Sequence, residues 1–206
     1  GHAALPDPRA VDKSVPEYKN PFHPSTYAHF VARKDYRKTY DVYKDDTLLN
    51  RQPKKSRKIF VCLDEQRGQY LVDGLVAMDF PLSSGVKAYP TKTGDYTVIS
   101  KKEDHASNLY GKMYDAEGKC INYNAESTDP IPEGGRFDGS PMPYWQRLTN
   151  AGLGLHVGKV RRHPVSHGCV RLPRNVAEIL YRQTSIGTPV TIQKTPLPVP
   201  EAQKIP

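Results

Sequence analysis

Short apolar segments, separated by turn-forming residues, fill most of this chain and restrict its fold more than any other feature. In residues 59–192 these segments are rich in β-branched and aromatic residues and are bounded by Gly, Pro, Asp and Asn, the pattern typical of strands. One longer segment has clear helical spacing: Val176, Ile179 and Leu180 follow Pro173, a residue that suits the first turn of a helix. The sequence therefore predicts a mostly β fold with one main helix.

The predicted strands lie at residues 59–63, 70–72, 75–80, 96–100, 113–114, 120–123, 144–148, 153–157 and 190–192. Asp73-Gly74 separates two of these strands, and both residues tolerate the positive φ values of a tight hairpin turn. Glu117-Gly118 marks a second hairpin in the same way. The chain contains no internal repeat.

Proline divides the chain into three parts. The first 55 residues contain six prolines and the last eleven contain four, and proline disfavours central strands because it lacks a backbone donor. We predict an irregular N-terminal extension at 1–56, a catalytic domain at 57–194 and an extended tail at 195–206. Within the extension, Ser25 is expected to cap a short helix that reaches Lys34, and residues 38–43 alternate like a strand.

Charge and hydropathy exclude some classes of protein. The chain carries 30 Lys and Arg against 22 Asp and Glu, a net charge of +8, which suits polyanions or carboxylate-bearing substrates but is equally typical of an ordinary basic surface. No apolar stretch reaches the roughly 18 to 20 residues of a membrane span. The sequence begins at Gly1 without a basic region and an apolar run, so we expect no signal peptide within it.

Three cysteines, Cys62, Cys120 and Cys169, are too few for a disulfide scaffold. At most one pair can form, so at least one thiol stays free. We expect Cys62 and Cys120 to be separate thiols rather than a disulfide, although an exported protein tolerates either state.

The chemistry-bearing residues are concentrated in 155–158 (Leu-His-Val-Gly) and 166–172 (Ser-His-Gly-Cys-Val-Arg-Leu). Cys169 follows Gly168, which can adopt turn conformations that expose backbone N–H groups to a developing oxyanion. His156 and His167 are both candidates for the base that a thiol nucleophile needs. Arginines at 161, 162, 171 and 174 are close in sequence, and we expect them to lower the pKa of the thiol.

Two other interpretations of these residues compete with catalysis. A single cysteine is most often a small buried hydrophobe, and a single histidine most often satisfies a local hydrogen bond. A zinc ion could also bind His156, His163, His167 and Cys169. No C-x-x-C pair, no H-E-x-x-H motif and no carboxylate base accompanies them, so we expect no metal and no cofactor.

The same residues resemble a known family, the L,D-transpeptidase catalytic domain, also called the YkuD domain. The motif at 166–172, with a histidine in an upstream strand, is similar to the catalytic motif of that family. Four further stretches resemble the family in the same order, namely 59–67, 80–94, 142–145 and 187–190. The resemblance covers about residues 57–194 and implies an L,D-transpeptidase-type β-sandwich of mixed short strands, with the main helix after the cysteine.

The resemblance implies acyl transfer on peptidoglycan stem peptides. Cys169 would attack the carbonyl of the third stem residue and release the terminal D-Ala, and His156 would act as the base. Ser166 belongs to the motif, and His167, Gly168 and Cys169 would supply backbone donors to the oxyanion hole. The resemblance further implies that Arg171 holds a substrate carboxylate or braces the loop. Tyr144, Trp145, Tyr89 and Gly158 are further candidates for substrate contacts, although packing is the commoner role for Tyr144 and Trp145 and a turn role for Tyr89.

The acceptor and the outcome stay open at this stage. The acceptor could be a second stem peptide, a lipoprotein lysine, a free D-amino acid or water. The alternative on the same scaffold is an L,D-carboxypeptidase or another hydrolase of peptidoglycan or lipoprotein links, and a more remote one is a non-catalytic wall-binding module. The family implies the bacterial envelope, periplasmic or exported, and no nucleic acid partner.

Overall fold

A computed structural model describes residues 26–204 of the chain. The expectations that fall on residues 1–25, among them Ser25 as a helix cap, lie outside the described residues. Thr26 occupies the N-cap of the first helix, where its side chain accepts a hydrogen bond from the N–H of His29.

The described part of the chain contains thirteen strands and three α-helices. The helices are α1 (Tyr27–Val31), α2 (Asp46–Leu49) and α3 (Arg174–Gln183). The strands are β1 (Tyr43–Lys44), β2 (Arg57–Cys62), β3 (Arg67–Val72), β4 (Leu75–Pro81), β5 (Gly94–Thr97), β6 (Ser100–Lys102), β7 (Ala106–Tyr114), β8 (Cys120–Glu126), β9 (Arg136–Pro141), β10 (Trp145–Arg147), β11 (Gly154–Val157), β12 (Val170–Leu172) and β13 (Pro189–Gln193). None of the helices in 26–204 is long and apolar enough to cross a membrane.

The strands form three sheets, of which the first two enclose the main core. The first sheet has the order β1-β4-β3-β2-β13-β5, the second β12-β11-β10-β6 and the third β8-β7-β9. Strand β13 runs parallel to β2, and β12 runs parallel to β11, while the other pairs are antiparallel. The inward side chains of the first two sheets meet those of α3 in a single cluster that includes Ile59, Leu155, Val170 and Leu180.

This architecture confirms the predicted fold class: mostly β, with mixed sheets and one main helix. Asp73 and Gly74 join β3 to β4 with φ values of +51° and +80°, as the hairpin prediction requires. Strand β9 is not apparent from the sequence, since residues 136–141 contain Gly, Pro and Asp and pair only because β7 lies beside them. Cys62 and Cys120 lie in different sheets, and all three cysteines are free thiols.

A buried carboxylate ties the segment before β2 to the first sheet. Asp79 in β4 accepts hydrogen bonds from the hydroxyls of Tyr27 (2.5 Å) and Tyr36 (2.6 Å), from Gln69 (3.1 Å) and from Arg67 (2.6 Å). The side chains of both Arg67 and Asp79 are completely buried. An unpaired carboxylate in this position is strongly unfavourable, so Asp79 keeps its ion pair with Arg67. The two tyrosine hydroxyls bond to this fixed carboxylate and are held in position by it.

The strand predicted at residues 38–43 is wrong in extent, since only Tyr43–Lys44 pairs with β4. The N–H groups of Lys38 and Thr39 bond to Asp35 in a turn. The carbonyls of Thr39 and Asp41 accept from the guanidinium of Arg67 instead of from a neighbouring strand. Side-chain donors therefore take the place of a strand partner here.

The tail packs back onto the same sheet. Leu197 and Val199 contact the aromatic cluster around Phe30, and the side chain of Gln203 bonds to both the N–H (2.8 Å) and the carbonyl (3.0 Å) of Val76. The division into an extension, a domain and a tail remains a prediction.

Replacing the buried carboxylate should destabilise the protein strongly. Asp79→Ala leaves four donors without their acceptor, and we expect the free energy of unfolding to fall by about 3 to 5 kcal/mol. Glu178→Ala removes an exposed ion pair with Arg182 within α3 and should cost less than about 0.5 kcal/mol. Urea denaturation followed by circular dichroism measures both values, and similar losses in the two variants would contradict the assigned role of Asp79.

Candidate active site

The parallel pairing of β11 with β12 brings the two halves of the predicted motif together. Leu155 lies opposite Val170 and His156 lies opposite Arg171. Leu155 and Val170 point into the main core, and successive side chains of a strand point to opposite faces. His156 and Arg171 therefore face away from the core, and both line one cleft together with Cys169.

The imidazole of His156 is buried and oriented by the backbone. His156 is only 5% exposed. The Nδ1 atom of its ring lies 2.7 Å from the carbonyl oxygen of Val157. A carbonyl only accepts, so Nδ1 carries the proton and Nε2 is left as the basic nitrogen. The pKa of His156 is lowered to about 4, chiefly by burial and to a smaller extent by the charges of Arg171 and His105, while the hydrogen bond to the Val157 carbonyl acts in the opposite direction.

The thiol of Cys169 is held beside the turn that precedes β11. Its Sγ donates to the carbonyl of Gly152 at 3.2 Å. Burial raises the pKa of Cys169 above its ordinary value, and the Gly154 N–H and the charges of Arg147 and Arg171 oppose this only in part. At neutral pH the site therefore holds a neutral thiol and a neutral imidazole.

Of the four arginines expected to lower the pKa of this thiol, only Arg171 does so, and the net pKa is raised by burial. Arg161 and Arg174 are exposed, and the guanidinium of Arg162 bonds to backbone carbonyls of another segment. Arg171 does act on the thiol, but its effect is smaller than that of burial.

Ser166 organises the backbone around the thiol. Its Oγ accepts from the N–H of Gly168 at 3.1 Å and donates to the carbonyl of Cys169. Thr91 donates to the carbonyl of Gly168 at 2.6 Å. Gly168 has a φ of +126°, which disfavours any residue with a Cβ. The N–H of Gly168 bonds to Ser166, so, contrary to expectation, it is not free for an oxyanion, while the donor roles of His167 and Cys169 remain predictions.

His167 occupies a different environment from His156. Its exposed ring stacks on Tyr110 at 4.3 Å between centroids and contacts the edge of Tyr89 at 5.0 Å. These contacts fix the loop against β7 of the third sheet. His156, on the strand that pairs with β12, is the better placed of the two histidines to serve as a base.

Only some of the predicted substrate-contact residues line the cleft in the structure. Trp145 lines the cleft; it is 3% exposed, stacks on His105 at 4.7 Å, and its Nε1 has no acceptor within 26–204. Tyr144 lies outside the cleft lining and packs on Tyr181 of α3. A Cβ on Gly158 would lie 2.7 Å from Cγ of Arg171, so this glycine makes room for the arginine.

The cleft has a volume of about 610 Å³ and a cationic lining. Lys92, Arg147, Lys159 and Arg171 line it, and no Asp or Glu does so in the described part of the chain. The sequence analysis missed Arg147 and His105. Arg147 is two residues from Trp145 and on the same face of β10, a period-two signal that could have identified it.

No three side chains of His, Cys, Asp and Glu within residues 26–204 are grouped as metal ligands. The zinc interpretation required His163 beside His156 and Cys169. Instead, His163 is exposed and its Nδ1 lies 3.2 Å from the carbonyl of Pro164.

The fold, the cysteine-histidine cleft and the sequence motif agree in defining one class of protein. Residues 56–192 match the YkuD family, the L,D-transpeptidase catalytic domain. The chain belongs to this family, as its resemblance in sequence indicated.

Similar proteins support this assignment. A curated protein of Mycobacterium tuberculosis named "Probable L,D-transpeptidase 3" is 32% identical over 121 residues, which are 55% of this chain and 38% of that protein. An L,D-transpeptidase from Mycobacterium smegmatis has 22% identity and a TM-score of 0.52, covering 67% of this chain and 58% of that one. One from Stackebrandtia nassauensis has 22% identity and a TM-score of 0.50, covering 81% and 65%. At these identities the two structures are evidence for the fold alone.

Burial of His156 should make stability depend on pH. An unfolded histidine has a pKa of about 6.5 and folded His156 one of about 4, so the unfolded chain binds more protons between these values. The stabilising effect is complete above pH 6.5 and is lost as the pH falls to 4. We expect this group to reduce the free energy of unfolding by about 3 kcal/mol between pH 7 and pH 4.

Denaturant unfolding of the wild type and of His156→Asn at pH 7 and pH 4 isolates this contribution. The variant should lack about this much of the decrease, because other groups titrate equally in both proteins. The same decrease in both proteins would show that His156 is not a buried neutral imidazole.

Proposed function

We propose that this chain is a cysteine L,D-transpeptidase that acts on peptidoglycan tetrapeptide stems. The observation that carries the proposal is that a buried, backbone-oriented imidazole and a thiol line the same cationic cleft. Membership of the YkuD family supports the reaction class. The chain spans 38% of the length of its curated relative, so the activity of the whole protein is part of the proposal.

The first half-reaction forms a thioester and releases D-Ala. Nε2 of His156 takes the thiol proton while Sγ of Cys169 attacks the carbonyl carbon of the third stem residue. The N–H groups of His167 and Cys169 stabilise the oxyanion of the tetrahedral intermediate. The C–N bond to D-Ala then breaks, and the imidazolium returns its proton to the leaving amine.

The second half-reaction transfers the acyl group to an acceptor. An amine enters the cleft, His156 removes its proton, and the amine nitrogen replaces Sγ at the acyl carbon. The thiolate that leaves recovers the proton from the imidazolium, which restores the neutral pair. Water in place of the amine gives the carboxypeptidase outcome by the same steps.

The cationic lining suits a donor that carries carboxylates. Arg147 and Arg171 lie near enough to the thiol to affect its pKa, so an acidic group one or two residues from the scissile bond can reach them. A guanidinium binds a carboxylate through two parallel hydrogen bonds. We therefore assign to these arginines the terminal D-Ala carboxylate and the side-chain carboxylate of a diamino acid at the third position.

The substrate places this protein in the bacterial cell envelope, because peptidoglycan stems are cross-linked outside the cytoplasmic membrane. Acceptors of the proposed reaction are a second stem peptide, a free D-amino acid or a lipoprotein lysine. Each presents a primary amine to the thioester.

Removal of the thiol should abolish turnover of muropeptides. Disaccharide-tetrapeptides incubated with the wild type should lose D-Ala and give dimers or, with added D-amino acid, exchange products, as measured by mass spectrometry. Cys169→Ala should reduce this by at least about a thousandfold because no covalent intermediate can form. Cys120→Ala removes an unrelated thiol and should be fully active.

The muropeptide products also distinguish the transpeptidase from the hydrolase and from the wall-binding module. Tripeptide alone, with no dimer and no exchange product, would replace the transpeptidase by the hydrolase. Release of D-Ala by Cys169→Ala would disprove the assigned nucleophile, and binding without turnover by the wild type would leave a wall-binding module.

Amidation of the third-residue carboxylate should weaken binding of the donor. Loss of one charge-assisted contact is expected to raise KM about tenfold with a smaller change in kcat. Arg147→Ala should raise KM for the free-acid donor and reduce the difference between the two donors. Arg136→Ala, which removes an arginine outside the cleft, should keep the difference, and an equal KM for both donors in the wild type would contradict carboxylate recognition.

A further inference from the structure

The segment before the family-matched residues contacts the loop that carries the nucleophile. This loop, residues 158–169, joins β11 to β12. Within it, the guanidinium of Arg162 donates to the carbonyls of Thr39 (2.9 Å), Glu65 (2.8 Å), Gln66 (3.3 Å) and Arg37. Two of these four acceptors lie before residue 56, where the family match begins.

The acceptors from the N-terminal segment are themselves fixed. The carbonyl of Thr39 also accepts from Arg67 at 2.8 Å, and Arg67 is paired with Asp79 in the core. The Tyr36 hydroxyl bonds to the same carboxylate. We call residues 36–41 the strap, because they hold the loop against the first sheet through backbone carbonyls.

A continuous series of hydrogen bonds leads from Arg162 toward the nucleophile. Arg162 bonds to the carbonyl of Gln66, whose side chain donates to Oγ of Ser84 (2.9 Å) and accepts from the Ser84 N–H (3.0 Å). The carbonyl of Ser84 accepts from the N–H groups of Val165 (2.9 Å) and Ser166 (3.1 Å). Ser166 is the residue that bonds to the backbone on both sides of the thiol.

The two residues that meet at this junction share an unusual backbone conformation. Gln66 and Arg162 both have positive φ, +51° and +60°, which is unfavourable for residues with a Cβ. Such conformations persist where surrounding contacts determine them, and they concentrate at functional sites. The guanidinium of Arg162 donates to the carbonyl of Gln66, so the conformations of these two residues depend on each other.

We propose that the strap is part of the active-site structure and that Arg162 is a positioning residue for Cys169. Arg162 does not line the cleft, so it acts on the reaction only through the loop. This inference rests on the proposed function for its kinetic consequence, but its structural consequence can be measured without substrate.

The kinetic test compares two arginines on the same loop. Arg162→Ala should lower kcat by about ten- to a hundredfold, since small displacements of a nucleophile cost this much, while KM changes by less than about twofold. Arg161→Ala removes the same charge from an exposed neighbour, whose N–H still bonds to Ser83, and should keep wild-type kinetics. Arg162→Lys keeps the charge but lacks the planar fork and should lose nearly as much as Arg162→Ala.

The structural test is hydrogen exchange of the full-length protein, read by mass spectrometry. Arg162→Ala should speed exchange on the order of tenfold in both 158–169 and 36–41, with β2 and β13 unchanged. Tyr36→Phe removes the hydroxyl that donates to Asp79 and accepts from Gln69, and it should speed exchange in the loop as well as in the strap. Arg161→Ala should match the wild type.

The outcomes separate the two proposals. Exchange that rises equally throughout the domain in Arg162→Ala, or that stays at the level of Arg161→Ala, would overturn the positioning role. A kcat equal in the two alanine variants would overturn it also. If the wild type releases no D-Ala, the proposed function fails, and the exchange of the loop and the strap alone decides this inference.

Discussion

The parallel pairing of β11 with β12 determines the rest of the site. Two adjacent parallel strands need a crossover of about a dozen residues, which is usually a helix. Here residues 158–169 make that connection, and they contain no helix in the structure. Such a loop has no internal ladder of hydrogen bonds to hold its shape. Its geometry therefore depends on what it contacts outside itself.

Those external contacts come from three directions. Ser84, in the segment that follows β4, accepts hydrogen bonds from the N–H groups of Val165 and Ser166. Tyr110 of the third sheet stacks on His167. Arg162 reaches the strap, whose carbonyls are fixed by the buried Arg67–Asp79 pair. The stability of the core and the position of the nucleophile are thus connected through one network of polar groups.

Burial gives the site its resting protonation state. It raises the pKa of the thiol and lowers that of the imidazole, so a preformed thiolate-imidazolium pair is unfavourable at neutral pH. In the proposed reaction, proton transfer from Cys169 to His156 would therefore accompany attack on the substrate. The carbonyl of Val157 fixes the tautomer that makes this transfer possible, a role that in many triads belongs to a carboxylate.

Sequence reasoning could identify what depends on local pattern. Strands β2, β3, β4 and β13 of the first sheet follow from short-range signals, as do the hairpin at 73–74, the helix after Pro173 and the motif around Cys169. The pKa of the thiol did not, because burial is a tertiary property that outweighed the nearby arginines. Neither did the strap, since nothing between residues 36 and 41 indicates that its carbonyls receive guanidinium groups from positions 67 and 162.

The most direct test of this account is the intact mass of the enzyme after mixing with a tetrapeptide donor and no amine acceptor. The account predicts a covalent adduct equal to the donor minus D-Ala, located by peptide mapping on Cys169 and removed by an added amine. An enzyme that releases D-Ala without ever carrying an adduct on Cys169 would contradict it, and so would an adduct on Cys62 or Cys120 instead.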